Sequence, residues 1–333
     1  MAHTYDVCGV GHALVDIQYQ VQPEFLANNQ IDKGVMTLVD ADRQNQLSAA
    51  ITDEPVASAS GGSAANTMIG VARFGGRAYY ACLTGRDDWG DFYQRDLEEA
   101  GVATNPANRD EGTTGQCLIF ITPDADRTLN TFLGISSAIG PDQLQEDIIA
   151  ASQYVYLEGY LFSSDDGFTA AAQAQKIARR HGTIVSLTLS DPFMVGAFKE
   201  RFDAIIDQGV DLLFCNEEEA LACTGASNRE AAGEILAARS ATTYITCGAD
   251  GALVYSNGEK EMVPGVRVEA VDTTGAGDLF AGGALYGLSY GYNPVDAARL
   301  GSYAAAQIVA RFGPRLPESL ADQIDTILSH FST

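Results

Sequence analysis

The chain has 333 residues, 46% hydrophobic and 19% charged, which suits a folded globular protein with a buried core. Lysine and arginine number 20 against 44 aspartates and glutamates, a formal charge of −24. Such a field repels a phosphate backbone and an anionic bilayer, so neither nucleic acid nor a membrane is an expected partner.

In chain order, Tyr5–Gly11 predicts a strand, and Ala13–Val21 alternates apolar with polar residues, as a strand with one wet face would. Ala64–Phe74 predicts a helix and Arg77–Leu83 a strand. Asp88–Ala100 predicts a helix that ends at Gly101, where a left-handed cap fits. Gly115–Leu133 predicts two extended segments around the turn signal Thr122-Pro-Asp-Ala-Asp126. Further strands are expected at Gln153–Leu157, Thr183–Leu187, Asp211–Phe214 and Thr242–Thr246. Helices are expected at 166–180, 192–207, 216–223, 278–290, 293–311 and 316–331.

Strands alternating with helix-length segments imply parallel crossovers, hence an α/β fold with a doubly wound, mainly parallel sheet flanked by helices. The segments 13–40 and 113–135 break that rhythm and are expected to form a small β lid. Residues 1–12, 41–112 and 136–333 then make up the core that carries the sites. Six cysteines (Cys8, Cys82, Cys117, Cys215, Cys223 and Cys247) contain no Cys-x-x-Cys pair and mostly sit among apolar neighbours, as reduced thiols do. The start of the chain lacks the basic and apolar regions of a secretion signal, and no apolar run has the length of a membrane span. A cytoplasmic protein is expected.

The sharpest chemical signal is Val271-Asp272-Thr273-Thr274-Gly275-Ala276-Gly277-Asp278, followed by a helix of small residues. Gly275 and Gly277 let the backbone approach a ligand closely. A helix starting there aims unpaired N–H groups and a dipole at an anion. A carboxylate beside a phosphate is costly, so Asp278 suggests work on a proton: it accepts the hydrogen of an attacking hydroxyl while the amides hold the developing charge. A plain helix cap is the duller alternative.

Together with three further stretches, this motif resembles the ribokinase-like (phosphofructokinase B) sugar and nucleoside kinases. Gly61-Gly62-Ser63-Ala64-Ala65-Asn66 is similar to that family's Gly-Gly…Asn element, and Asn216-Glu217-Glu218-Glu219 to its Asn-x-x-Glu motif. Thr246-Cys-Gly248-Ala-Asp-Gly251 resembles its nucleotide-binding strand and turn. The order is the family's, and the matches span nearly the whole chain. Leu14-Val15-Asp16-Ile17, Asp126-Arg127-Thr128-Leu129 and Leu189-Ser190-Asp191-Pro192-Phe193 resemble the adenosine kinases within it.

The resemblance implies a ribokinase-like fold and transfer of the γ-phosphoryl group of ATP, with Mg²⁺, to a primary hydroxyl of a nucleoside or sugar. It implies Asp278 as the base, with Gly275, Ala276 and Gly277 forming the anion hole. Asp16, Gly61, Gly62, Ser63 and Asn66 would form the acceptor site, with His12 where adenosine kinases carry Asn. Arg127 would reach from the lid to the transferring phosphate. Asn216, Thr246, Gly248, Gly251 and Thr274 would form the nucleotide site, with Glu219 and Asn216 holding Mg²⁺ through water. Asp272, beside Thr274, would be a site for K⁺. By alignment, Leu161 replaces an aromatic that stacks on the substrate base, between Tyr160 and Phe162, and Asp-Thr-Thr is a form common among sugar kinases. The acceptor expected first is adenosine, with a free sugar as the alternative; a binder without turnover is a third reading, against which Asp278 argues. A homodimer through the lid stays open.

Other phosphate and catalytic motifs are missing. The chain has no Gly-Lys dipeptide, so a Walker loop is absent, and Gly9-Val-Gly11 lacks the third glycine of a dinucleotide fingerprint. His3, His12, His181 and His330 have no zinc-ligand spacing.

Overall fold

The structure, a computed structural model, describes residues 3–124 and 126–331. Its larger sheet has nine strands, in the spatial order Glu259–Pro264, Gly251–Ser256, Ser240–Thr246, Val210–Asn216, Ile184–Thr188, Ser152–Glu158, Tyr5–Val10, Ala78–Ala81 and Val102–Thr104. All neighbours are parallel except along the hairpin edge, where Gly251–Ser256 runs antiparallel to both of its neighbours. Each parallel strand sends alternate side chains into two separate cores. Val7, Tyr80, Tyr156 and Phe214 pack on one face, and Cys8, Val10, Leu157 and Leu213 on the other. That two-sided burial is why the strands read as continuous apolar runs.

Tyr5–Val10 is paired on one side with Ala78–Ala81 and on the other with Ser152–Glu158. Strand order reverses there, and the crevice at the carboxyl ends of such strands is where open α/β sheets bind ligands. His12, Glu158 and Asn216 all stand at those ends.

The smaller sheet has the order Met36–Leu38, Arg127–Phe132, Gly115–Ile121, Leu14–Gln20 and Ala57–Gly61. Its strands from 13–40 and 113–135 are those expected for a lid. Residues 57–61, expected in the core, pair with Leu14–Gln20 and so belong to this sheet. Their composition, Ala-Ser-Ala-Ser-Gly, carries no strand signal of its own. Val15, Ile17, Leu118 and Phe120 are buried on the outer face beside Leu26 and Leu47. The face that reads as wet (Leu14, Asp16) turns toward the crevice.

Two expected helices differ. Residues 192–207 form Pro192–Ala197 and Lys199–Asp207, because Phe198 leaves helical backbone geometry between them. The last helix starts only at Ile324, after a single turn at Ala321–Gln323. Leu320 N–H donates to Arg73 O (2.7 Å), which draws the preceding backbone away from a helical path.

Candidate active site

Between the two sheets lies a cavity of about 380 Å³, within the range of small-molecule sites. Its walls include His12, Asp16, Gly62, Ser63, Asn66, Asn216, Glu219 and the run from Thr274 to Asp278.

Asp278 sits in the first turn of the helix Ala276–Ser289. Its Oδ1 accepts a hydrogen bond from Ser63 Oγ (2.6 Å) and its Oδ2 one from Asn66 Nδ2 (3.1 Å). Both donors lie on the opening turn of the helix Ser63–Arg73, so the two glycine-led motifs meet on one carboxylate. Burial pushes Asp278 up to about 7, against the pull of those two hydrogen bonds, and the Glu158 charge adds to the rise. A carboxylate that titrates near neutrality is a competent base for a hydroxyl proton. Asn66 Oδ1 is buried with no partner among the described residues, which leaves one acceptor for a bound molecule.

Gly275 caps that helix at φ +78°, a conformation that disfavours any other residue, and a Cβ there would come within 2.8 Å of Pro314. The first N–H groups of the helix lack intrahelical acceptors and join its dipole at the cavity. Gly62 caps the helix Ser63–Arg73 at φ +101°, where a Cβ would meet His12 O at 2.3 Å. Gly61 lies under Asp16, whose Oδ2 a Cβ would approach to 2.4 Å. Burial raises Asp16 to about 6, while the Arg315 and Arg127 charges oppose the rise. The His12 ring bonds Ser136 O at 3.0 Å through Nδ1, and burial lowers its basicity, so the neutral ring faces the cavity.

Asn216 and Glu219 form a capping box on the helix Glu217–Thr224, and Asn216 Nδ2 also donates to Glu219 Oε1 (2.7 Å). Burial lifts Glu219 to about 7. Thr246 is paired with Asn216 across neighbouring strands, and Gly248 and Gly251 shape the turn that follows it, beside the cavity rather than in its wall. Gly251 opens the edge hairpin.

Arg127 and Asp272 meet each other. Arg127 does not line the cavity; its Nη1 is paired with Asp272 Oδ2, and both side chains are buried. Arg127 Nε and Nη2 have no partner among the described residues. Asp272 also accepts from Thr274 N (2.9 Å) and Gly313 N (3.0 Å). Burial alone would raise Asp272, yet these hydrogen bonds and the Arg127 charge hold it below the usual carboxylate range.

Leu161, expected at an aromatic's place on the substrate, is fully buried in the core, and Tyr160 lines the cavity instead. Sequence reasoning also missed Glu158, Asp191 and Phe193. Glu158 accepts from Ala64 N (2.8 Å) and His12 N (3.4 Å), and burial raises it to about 7. A charge ending the apolar run Tyr-Val-Tyr-Leu was the signal that could have found it. Across from these groups the lid presents Leu14, Met36, Leu38, Ile119, Leu129 and Leu133.

A base held by two donors, facing a helix N-terminus in a closed-over crevice, is an arrangement for transferring an anionic group to a hydroxyl. Comparison with known proteins decides the family: the model of the pfkB family carbohydrate kinases matches residues 32–320. The chain belongs to that family. The pfkB kinase fold extends over its near relatives too. Adenosine kinase of Saccharomyces cerevisiae is 29% identical over 92% of this chain and 96% of its own length. The crystal structure of adenosine kinase from Sinorhizobium meliloti superposes with a TM-score of 0.88 at 36% identity, covering 97% of this chain and 99% of that one. A probable sugar kinase protein from Rhizobium etli CFN 42 gives 0.89 at 36% identity, covering 97% and 98%. As a pfkB kinase, this protein is an ATP-dependent phosphotransferase that acts on a hydroxyl group of a small molecule. Among the described residues no helix is long and apolar enough to cross a membrane, and all six cysteines are free.

Proposed function

We propose that this pfkB kinase phosphorylates the primary hydroxyl of a nucleoside, adenosine first, with Asp278 as the general base. The observation that carries the substrate class is the contrast between the cavity's walls. One end offers hydroxyl partners, Asn66 and His12 from the core and Asp16 from the lid strand Leu14–Gln20; the rest of the lid face, Met36, Leu38, Ile119 and Leu129, is apolar, with Phe193 at the rim. A nucleoside has a polyol half and a flat, largely apolar half, so each wall has something to cover. A free sugar carries hydroxyls around its rim and would leave the lid face without a partner. The likeness to adenosine kinases supports the same choice.

In the reaction, Asp278 takes the proton of the acceptor hydroxyl as its oxygen bonds to the γ-phosphorus. The bond from that phosphorus to the β-bridging oxygen breaks, and ADP leaves. Ser63 and Asn66 fix the carboxylate, and the amides from Gly275 to Asp278 hold the equatorial charge. The oxygen donors of Asn216 and Glu219 suit a divalent cation bound through its waters, which when present offsets phosphate charge. The lid face excludes water, so that the acceptor rather than solvent is phosphorylated.

The sugar-kinase reading draws on Glu158, a buried carboxylate that adds another hydroxyl acceptor to the polar wall. A panel of nucleosides and free sugars with Mg-ATP, read by ADP release, separates the two. Turnover with adenosine is expected; turnover with free sugars alone overturns the nucleoside reading.

A further inference from the structure

Arg315 belongs to no motif, yet its loop ties together two parts of the site that are distant in sequence. Val309 O accepts from Val271 N (2.8 Å) and Asp272 N (3.1 Å), Gly313 N donates to Asp272 Oδ2, and Pro314 packs under Gly275. This loop therefore forms the floor of the anion-binding turn. Its next residue crosses to the other side of the site. Arg315 Nη1 donates to Asp96 Oδ2 (2.7 Å) on the helix Asp88–Glu99, and its Nη2 to Ser60 Oγ on the lid strand Ala57–Gly61. Ser60 is fully buried and gives both its N–H and its hydroxyl to the same Asp96 oxygen, at 2.7 Å each. The residue after Ser60 is Gly61, on which the Asp16 carboxylate rests.

We propose that Arg315 is a positioning residue of the acceptor site: it locks the Gly61-Gly62 turn, on which Asp16 rests, to the anion-binding loop and turns its positive charge toward that carboxylate. The inference rests on Asp16 as an acceptor-binding group. Among the described residues none donates a hydrogen bond to the Asp16 carboxylate, so its charge depends on its surroundings. Those facing it are Arg127 on the strand Arg127–Phe132, Cys117 opposite it in register, Asp278 across the cavity, Tyr93 behind Gly61, and Arg315. Both arginines are paired, Arg127 with Asp272 and Arg315 with Asp96, and the Arg315 charge is the stronger of the two that favour the ionised form. A guanidinium is needed because its fork reaches acceptors on two elements while remaining charged.

The test is titration of the Asp16 carboxyl by NMR of protein labelled with ¹³C-aspartate, D16N identifying its resonance, in parallel with acceptor kinetics. In R315M the Asp16 titration moves up by about one pH unit, the lower end of what a neighbouring arginine does to a carboxylate. The acceptor kcat/KM then falls about fivefold more at pH 6 than at pH 8, with the KM for ATP changed less than about twofold. R315K, which keeps the charge, restores the titration. If R315M does not fold, R315Q keeps donors to Asp96 and Ser60 without charge and gives the same reading. An unmoved Asp16 titration, or an activity loss equal at every pH, overturns the proposal. Absence of turnover with any acceptor overturns the nucleoside reading instead, and the Asp16 titration still decides the role of Arg315.

Discussion

Replacing Asp278 by Asn should cut activity sharply and stabilise the protein, two effects of opposite sign from one buried charge. Folded, Asp278 titrates at about 7 against an ordinary 3.8, mainly because burial penalises the carboxylate. The folded state therefore binds a proton more tightly than the unfolded chain. The cost of ionising Asp278 grows as pH rises from about 4 and is complete above about 7. At roughly 1.4 kcal/mol per pH unit the full cost is about 4 kcal/mol, and about 2–4 kcal/mol once relaxation and the coupling to Glu158 are allowed for. Asn carries no charge, and its amide can still meet Ser63 Oγ and Asn66 Nδ2 when the serine hydroxyl turns to accept. With an unfolding entropy of about 2 cal/mol/K per residue over 333 residues, the melting temperature at pH 8 should rise by about 3–6 °C, and at pH 5 by only about 1–2 °C. Over the same range kcat should drop by about 10²–10⁴. Scanning calorimetry at the two pH values, with ADP release on the same preparations, measures both. A D278N protein that melts lower at pH 8, or turns over at the wild-type rate, would refute the reasoning.

The wild-type kcat/KM should fall as pH drops below about 7, because Asp278 must be ionised to accept the proton; a profile flat from pH 8 to 5 contradicts this. Gly275→Ala forces a side chain into φ +78° against Pro314, and should cost about 1–3 kcal/mol in denaturant unfolding while raising the KM for ATP. Glu219→Gln should raise the half-saturating Mg²⁺ concentration about tenfold, read from a Mg²⁺ titration at fixed ATP. Phe193 is 72% exposed, so Phe193→Ala should leave the melting temperature within about 1 °C while raising the KM for adenosine up to about tenfold. The same KM for both proteins would remove that ring from the base site.

The amino-acid sequence on its own determined the alternation of strands and helices, the two-sided sheet and the glycine turns, because these follow from local rules of periodicity and backbone freedom. It also marked Asp278, through the glycines that precede it, while Asn66, Asp16 and Glu219 were marked only by their resemblance to motifs of the pfkB kinases. What it could not reveal were partnerships across the chain. That Ser63 and Asn66 grip Asp278 from 215 and 212 residues away is decided by the packing of two helices. The pairing of Arg127 with Asp272, 145 residues apart, is likewise set by how the lid sits on the core. Residues 57–61 became a lid strand through a neighbour's hydrogen-bonding edge and not through their own composition. Tyr160 rather than Leu161 faces the cavity because the 3-10 turn Gly159–Ser163 points neighbouring side chains in different directions, one to the crevice and one to the core. Charge state, too, is tertiary: the carboxyls at 16, 158, 219 and 278 are ordinary in sequence, and only burial around a shared crevice lifts them toward neutrality.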